Sequence, residues 1–409
     1  MSTSFSGRLE RKLGEEWEVS LQASHLDEFS HNVQSAFGGF PRRGEFDTRR
    51  TDVTASINHT PRPNLSYTAN YHRSVYQHDV ATFFTTITPD QRSEDSFREV
   101  FSDAELAVSL YTARDLWHAG LQFSQDRLAS ERIFDYRARL EARAVYADWE
   151  RYSGDDRALA VGLRADDHSL TGLHLSPKVS YWQRLSPRAD LRLGYGHGFR
   201  TPSIKELYFN YNSPFGYSVR GNPSLEPEKA DALTAVFTYA PSGRELWEFG
   251  AFCEWVEGTI TATEILSSPL TFKEVNLGRT RSRGLTVNHT RRLGAKWELS
   301  WDQALMEAVD LDTGARLPQS PRCRQALSLR HTYRPDGWVE LRCLASSPSY
   351  ASIENERLAP GYVTLDLHWT IPTRWGGLIV SAQNLTDRTN RLYGPKPGRE
   401  FFVGFSRNF

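Results

Sequence analysis

The chain has 409 residues, a formal net charge of −1, and 39% apolar and 12% aromatic residues. That length admits two or three soluble domains or one large barrel, and the near-zero charge excludes a global field that would draw nucleic acid. No run of 18 apolar residues occurs, so no helix is expected to cross a membrane; a closed sheet needs none, because its strands satisfy their own backbone groups in lipid.

Met1 to Glu10 is polar and predicts no signal peptide. Alternation of apolar and polar residues, the mark of a strand with two unlike faces, starts at Phe5, Gly7 and Leu9. A turn at Gly14-Glu15-Glu16 leads to Trp17, Val19, Leu21 and Ala23, and a polar loop runs through Gly38-Gly39 and Pro41 to Gly44. Val53, Ala55 and Ile57 follow, then a turn at Pro61-Arg62-Pro63 and the row Leu65, Tyr67, Ala69, Tyr71. Beyond a loop around Pro89-Asp90 come Leu106, Val108 and Leu110, a turn over Thr112 to Asp115, and Trp117, Ala119, Leu121 and Phe123. Leu140, Ala142, Ala144 and Tyr146 make the next apolar row, and Leu159, Val161 and Leu163 follow the turn at Ser153-Gly154-Asp155. Val179 and Tyr181 lead through Ser186-Pro187 to Leu191, Leu193, Tyr195 and Phe199.

A loop of nearly thirty residues then intervenes, far above the usual hairpin connection. Past it, Leu233, Ala235, Phe237 and Tyr239 resume the pattern, and one long strand is expected from Leu246 to about Ile265. Leu285 and Val287, Trp297 to Trp301, Leu327 to Tyr333, Val339 to Cys343, Val363 to Ile371, Leu378 to Ala382, and Phe401 to Phe405 complete it. About nineteen strands result, of about ten residues each, long enough to cross a bilayer at a tilt. Tight turns alternate with long loops, as in outer-membrane barrels. Trp17, Trp117, Trp297, Trp338, Trp369 and Trp375 fall near strand ends, where interfacial aromatics belong. The expected fold is therefore all-β, a transmembrane antiparallel β-barrel.

The long loop carries the most distinctive residues. Phe199-Arg200-Thr201-Pro202 precedes Glu206-Leu207-Tyr208, and Asn222-Pro223-Ser224-Leu225 precedes Pro227-Glu228-Lys229. Asn384-Leu385-Thr386-Asp387 and Pro397-Gly398-Arg399 follow near the C-terminus, ahead of a last strand ending on Phe409. In this order the motifs resemble those of TonB-dependent outer-membrane receptors, over at least Pro177 to Phe409. The resemblance implies a 22-stranded barrel preceded by a plug domain and a TonB-binding box. Residues 1–409 match its barrel domain; the plug, the box and about three strands are expected to be missing. It further implies a protein of the Gram-negative outer membrane that binds a scarce ligand, a ferric siderophore, cobalamin or haem. Import would draw energy through TonB, and insertion would need the outer-membrane assembly machinery. A passive porin-like channel is the alternative.

Within the loop, Arg200, Glu206 and Tyr208 are expected to seat it on the barrel wall. Tyr208, Tyr211, Phe215, Tyr217 and Arg220 are the ligand candidates, because aromatic and guanidinium groups suit flat or anionic chelates. No histidine lies between Pro202 and Asn222, which weakens haem; His78, His168 and His174 remain as outer-loop candidates. Gly194, Gly196 and Gly198 lack the spacing of a phosphate-cradling loop and point to the lumen, leaving room for a plug or a bend. Arg192, Glu248, Glu254, Arg330, Glu340 and Arg342 read as a wet inner wall. Cys253, Cys323 and Cys343 have no metal-like spacing, and no catalytic grouping, cofactor motif or metal site stands out. Phe401, Val403, Phe405 and Phe409 resemble the insertion signal of outer-membrane strands, with Arg407 where an aromatic is usual.

Overall fold

The computed structural model describes residues 2–35, 41–84, 92–212, 217–265, 270–351, 355–390 and 398–406. Ten strands come first: β1 (Ser2–Leu13), β2 (Trp17–Ser35), β3 (Pro41–Arg62), β4 (Leu65–Phe84), β5 (Arg92–Tyr111), β6 (Asp115–Ser130), β7 (Arg137–Tyr152), β8 (Arg157–His168), β9 (Gly172–Ser186) and β10 (Ala189–Arg200). The long loop holds α1 (Ile204–Tyr208), β11 (Asn210–Asn212) and β12 (Tyr217–Arg220). Then come β13 (Glu228–Ser242) and β14 (Glu245–Glu257), a second loop with β15 (Ile260–Ile265) and β16 (Leu270–Asn276), and β17 (Arg279–Leu293), β18 (Trp297–Asp310), β19 (Cys323–Arg334) and β20 (Gly337–Ser346). A small loop pair, β21 (Ser349–Tyr350) and β22 (Leu358–Ala359), precedes β23 (Tyr362–Thr373), β24 (Gly376–Gln383) and β25 (Glu400–Ser406).

Nineteen of these strands form one sheet, each antiparallel to the next wall strand in the chain. β1 and β25 run the same way, and among the described residues each is bonded on one side only. At one end nine connections of two to four residues join the strands; the opposite end holds the longer ones, apart from the tight link 169–171. Short turns gathered at one end are what an outer-membrane barrel requires, tight on the periplasmic side and long outside.

The two faces of the wall differ as the alternation demands. Leu106, Leu121 and Val145 lie in one cross-strand row, all exposed, on the lipid side. One residue along, the inner face is polar: Tyr146 donates to Glu105 at 2.7 Å, Asn70 donates to Glu105 at 3.3 Å, and Gln122 donates to Asp103 at 2.8 Å. Arg330 reaches Glu340 on the same lumen side at 2.8 Å.

Several expectations are corrected. The strands are longer than ten residues where it matters most: β2, β3, β4 and β5 have 19, 22, 20 and 20. Pro41 to Gly44 is strand, not loop. At about 3.3 Å per residue these strands project well past the hydrocarbon, and their upper outward residues turn charged, as with Asp47 and Arg49. The strand expected from Leu246 to Ile265 breaks at Gly258, whose φ of +70° suits glycine. Its second half becomes β15 and leaves the wall. In β7 the apolar row Leu140, Ala142, Ala144, Tyr146 faces inward, because Val145 shares the outward row with Leu121. Trp338 likewise turns to the lumen, where Arg330 lies 4.5 Å from its ring centre. The other five tryptophans named above all gather at the short-turn end. Cys253, Cys323 and Cys343 are free thiols.

Candidate functional site

The long loop folds because its first residues cap a helix and its neighbours bury it. Pro202 ends the β10 ladder, having no N–H to give. Ser203 then caps α1: its hydroxyl accepts from Glu206 N, and the Glu206 carboxylate accepts from Ser203 N at 2.7 Å. This reciprocal capping box satisfies two donors that a short helix would otherwise expose. Ile204 and Leu207 point the other way, into a cluster with Leu128, Ile133, Leu140 and Leu225. Leu207 is 0% exposed. Leu140, in an apolar row, thus belongs to the inner wall, where the loop lies against it.

Glu206 has a second task. Its two oxygens each receive Arg200 Nη1 at 3.0 Å, and the rest of that guanidinium forks onto Glu228. Glu228 in turn accepts from Ile260 N at 2.6 Å. The chain Glu206–Arg200–Glu228–Ile260 therefore ties helix, both wall strands and the second loop together. At the mouth, beyond the lipid-facing band, Arg200 holds the Glu228 carboxyl below the ordinary carboxylate range. Burial, with Glu206 nearby, pushes the Glu274 carboxyl up.

The remaining motif residues serve the same platform. Asn222 N donates to Glu206 O at 2.8 Å and its side chain donates to Glu274 O at 3.2 Å. Asn276 grips Glu226 on both its N–H and its carbonyl, at 2.9 Å each. β12 lies parallel to β16, so the two loops share one four-stranded sheet, β11-β12-β16-β15. Gly221 is required by contact: a Cβ there would come within 2.7 Å of the backbone of Leu207 and Phe209. The second motif, Asn384 to Asp387, is a turn with Asn384 and Asp387 at positive φ. It locks the end of β24 through Asn384 N to Asp366 at 2.7 Å and reaches the start of β25 through Arg399 N to Asp387 at 2.9 Å.

The ligand candidates separate. Tyr208 packs on the buried cluster. Arg220 spends its guanidinium on the carbonyls of Tyr211 and Val219 and on Asn212 Oδ1. Phe215 lies outside the described residues. Tyr217 pairs with Leu270 at the join of the two loops. Tyr211 meets a cation, Arg132, 4.3 Å from its ring centre. Phe401, Val403 and Phe405 occupy one exposed face of β25; Phe409 lies outside the described residues.

Beside Tyr211 the structure brings together residues that motif reading misses. Tyr76, His78, Phe97, Arg132, Lys205 and Phe209 line a cavity of about 230 Å³ on the inner face of the mouth. Lys205 Nζ sits 4.2 Å from the Phe97 ring centre and 3.8 Å from Glu99; Arg132 also pairs with Asp95. Tyr76 meets Phe97 edge-on at 6.0 Å. His78 belongs to β4, its Nδ1 2.8 Å from Thr48 Oγ1. Tyr76 and His78 carry a signal only in their alternation; the height to which β4 rises gives them their place. His174 stacks on Phe199 at 4.1 Å, and His168 is buried at the end of β8. Gly196 and Gly198 have open space where side chains would be, and β10 stays regular past them, so they mark clearance and no bend.

Among known proteins, a family model described as TonB dependent receptor-like, β-barrel, matches residues 13–385. The iron-regulated outer membrane virulence protein of Vibrio cholerae serotype O1 is 24% identical over 291 residues, 64% of this chain and 44% of that protein. The chain therefore spans under half the length of this relative. Solved structures share the fold: the copper transporter OprC, with TM-score 0.79 and 15% identity over 98% of this chain and 71% of that one. A variant of the ferric enterobactin receptor of Pseudomonas aeruginosa, bound to enterobactin, gives 0.69 and 14% over 98% and 78%. The siderophore receptor PirA of Acinetobacter baumannii gives 0.64 and 11% over 98% and 79%.

Proposed function

This chain belongs to the TonB-dependent receptor β-barrel family and so to the bacterial outer membrane, and on that premise we propose that it takes up a ferric siderophore with energy supplied through TonB. The observation that carries the ligand class is the mouth cavity. Tyr76, Phe97 and Phe209 bring rings, and Arg132 and Lys205 bring cations that Asp95 and Glu99 hold beside them. Flat aromatic arms bearing negative charge suit that combination, since stacking and charge-assisted hydrogen bonds act on the same group. In cobalamin and haem the ring system and the negative charge lie on separate groups, so neither brings stacking and charge to the site on one arm.

No bond is made or broken in this reading. The barrel binds selectively at its outer mouth, and passage requires work from TonB because a tight site does not release its ligand unaided. The plug and TonB-binding box belong to the proposal, as does delivery by the outer-membrane assembly machinery reading Phe401, Val403 and Phe405.

The test uses the full protein. Quenching of tryptophan fluorescence measures ferric-catecholate affinity for wild type, Lys205→Gln and Phe97→Ala. Loss of roughly ten-fold or more in either variant is expected from one charge-assisted or stacking contact. Unchanged affinity, with solute flux that ignores the proton gradient, would instead establish a porin-like channel.

A further inference from the structure

We propose that the short-turn end of the barrel carries a ring of guanidinium groups that selects anionic glycerophospholipids in the leaflet it faces. The proposal is independent of the ligand at the mouth. Every one of the nine short turns has an arginine or lysine within it or within two residues of it. Arg62, Arg114, Arg188, Arg244, Arg334 and Arg374 are all exposed, and none has a carboxylate partner among the described residues.

The carboxylates at this end are arranged differently. Three beside the strands are already engaged: Asp115 accepts from Trp149 at 3.0 Å, Glu245 accepts from Trp247 at 3.0 Å, and Glu298 pairs with Arg292 at 3.3 Å. Glu15, Glu16, Glu18, Asp155 and Asp336 have no side-chain partner among the described residues, while Asp156 pairs with Arg157 at 3.8 Å. A near-neutral chain thus presents isolated cations around most of one rim.

A second set of contacts fixes the depth of that rim. On the lipid side, three indoles lie on cross-strand imidazoles: Trp17 on His59 at 3.9 Å, Trp247 on His289 at 3.8 Å, and Trp297 on His331 at 4.2 Å. Amphipathic rings of this kind settle at the boundary between hydrocarbon and headgroup. The cations lie three residues nearer the turn: Arg62 after His59, Arg244 before Trp247, Arg334 after His331. At about 3.3 Å per residue that is roughly 10 Å of strand, which carries the guanidinium to the level of the lipid phosphates. Guanidinium matches a phosphate with two parallel hydrogen bonds. In phosphatidylethanolamine the lipid's own ammonium competes for that phosphate; in phosphatidylglycerol nothing does.

The experiment extracts the full protein from its own outer membrane in mild detergent. It is titrated with mixed phosphatidylglycerol and phosphatidylethanolamine, and bound lipids are counted by native mass spectrometry. Wild type should retain phosphatidylglycerol preferentially at low salt and lose that preference at high salt. A variant carrying Arg62→Gln, Arg114→Gln, Arg244→Gln and Arg334→Gln should lose at least ten-fold of the preference, since each cation near an anionic surface contributes roughly five-fold. Arg279→Gln with Arg283→Gln, at the opposite end, should leave it intact. Absence of preference in wild type, persistence at high salt, or persistence in the quadruple variant overturns the proposal. Should the quadruple variant fail to assemble, the salt titration of wild type decides.

Discussion

The guanidinium of Arg200 and the carboxylate of Glu228 meet in a two-point fork, Nε to Oε2 at 2.9 Å and Nη2 to Oε1 at 2.8 Å, across the upper ends of β10 and β13. The same guanidinium holds Glu206, so one side chain joins the last wall residue before the loop, the helix inside it and the first wall residue after it. Lysine keeps the charge but cannot span both partners. Arg200→Lys should therefore loosen the loop by about 1–2 kcal/mol, discounted for the partial exposure of the site. Amide exchange at Asn222 and Ile260 should quicken by roughly five- to thirty-fold. Exchange unchanged at both amides would show that the fork is ornamental.

Two carboxylates at the mouth titrate in opposite senses. Glu228 is held down by Arg200, so its contribution is present above the ordinary carboxylate range and disappears as pH falls through its lowered value. Glu274 is pushed up by burial and by Glu206, so its charged form destabilises the loop, and acidification toward the ordinary value relieves this. Loop protection should rise on mild acidification and collapse at stronger acidity. Glu274→Gln should remove the rise and leave the collapse. A monotonic profile in wild type would contradict the pair of shifts.

Gly221→Ala and Leu207→Ala probe the platform from its two sides. The first drives a methyl into the backbone of Leu207 and Phe209, the second empties the centre of the buried cluster. Leu207→Ala should cost about 2–5 kcal/mol of local stability, and Gly221→Ala about 1–3 kcal/mol through overpacking. Both should expose the 201–227 segment to protease in intact cells while barrel assembly, followed by heat-modifiable gel mobility, stays normal. Loss of assembly in Leu207→Ala would place the cluster in the folding of the wall itself.

Much of the wall and part of the platform are legible in the order of residues alone. Alternation locates the wall strands, because a face that meets lipid and a face that meets water leave different residues at every second position. The seating roles of Arg200 and Glu206 follow from motif residues that act locally. Other features are out of reach for a physical reason. Leu140 and Val145 are both apolar, and only the register with Leu121 tells which meets lipid. Gly258 inside an alternating stretch gives no warning that Ile260 onward pairs with another loop. Lys205 and Phe97 are more than a hundred residues apart, and their contact depends on how far β5 rises above the membrane, which alternation does not encode.

Adjacent residues of β7 offer a direct test of which face is which. Val145 is 53% exposed in the row of Leu106 and Leu121, whereas Tyr146 turns inward to donate to Glu105. Arginine at position 145 would put a charge in hydrocarbon, at a cost of about 2–4 kcal/mol near the midplane. Tyr146→Phe removes a hydroxyl from a wet wall and leaves Glu105 with Asn70, costing about 1 kcal/mol. Val145→Arg should thus sharply reduce the folded, heat-modifiable form in outer membranes, and Tyr146→Phe should assemble at nearly the wild-type level. The reverse ranking would mean that β7 is registered one residue away from the position given by its pairing with Leu121, and that the row containing Leu140 meets lipid after all.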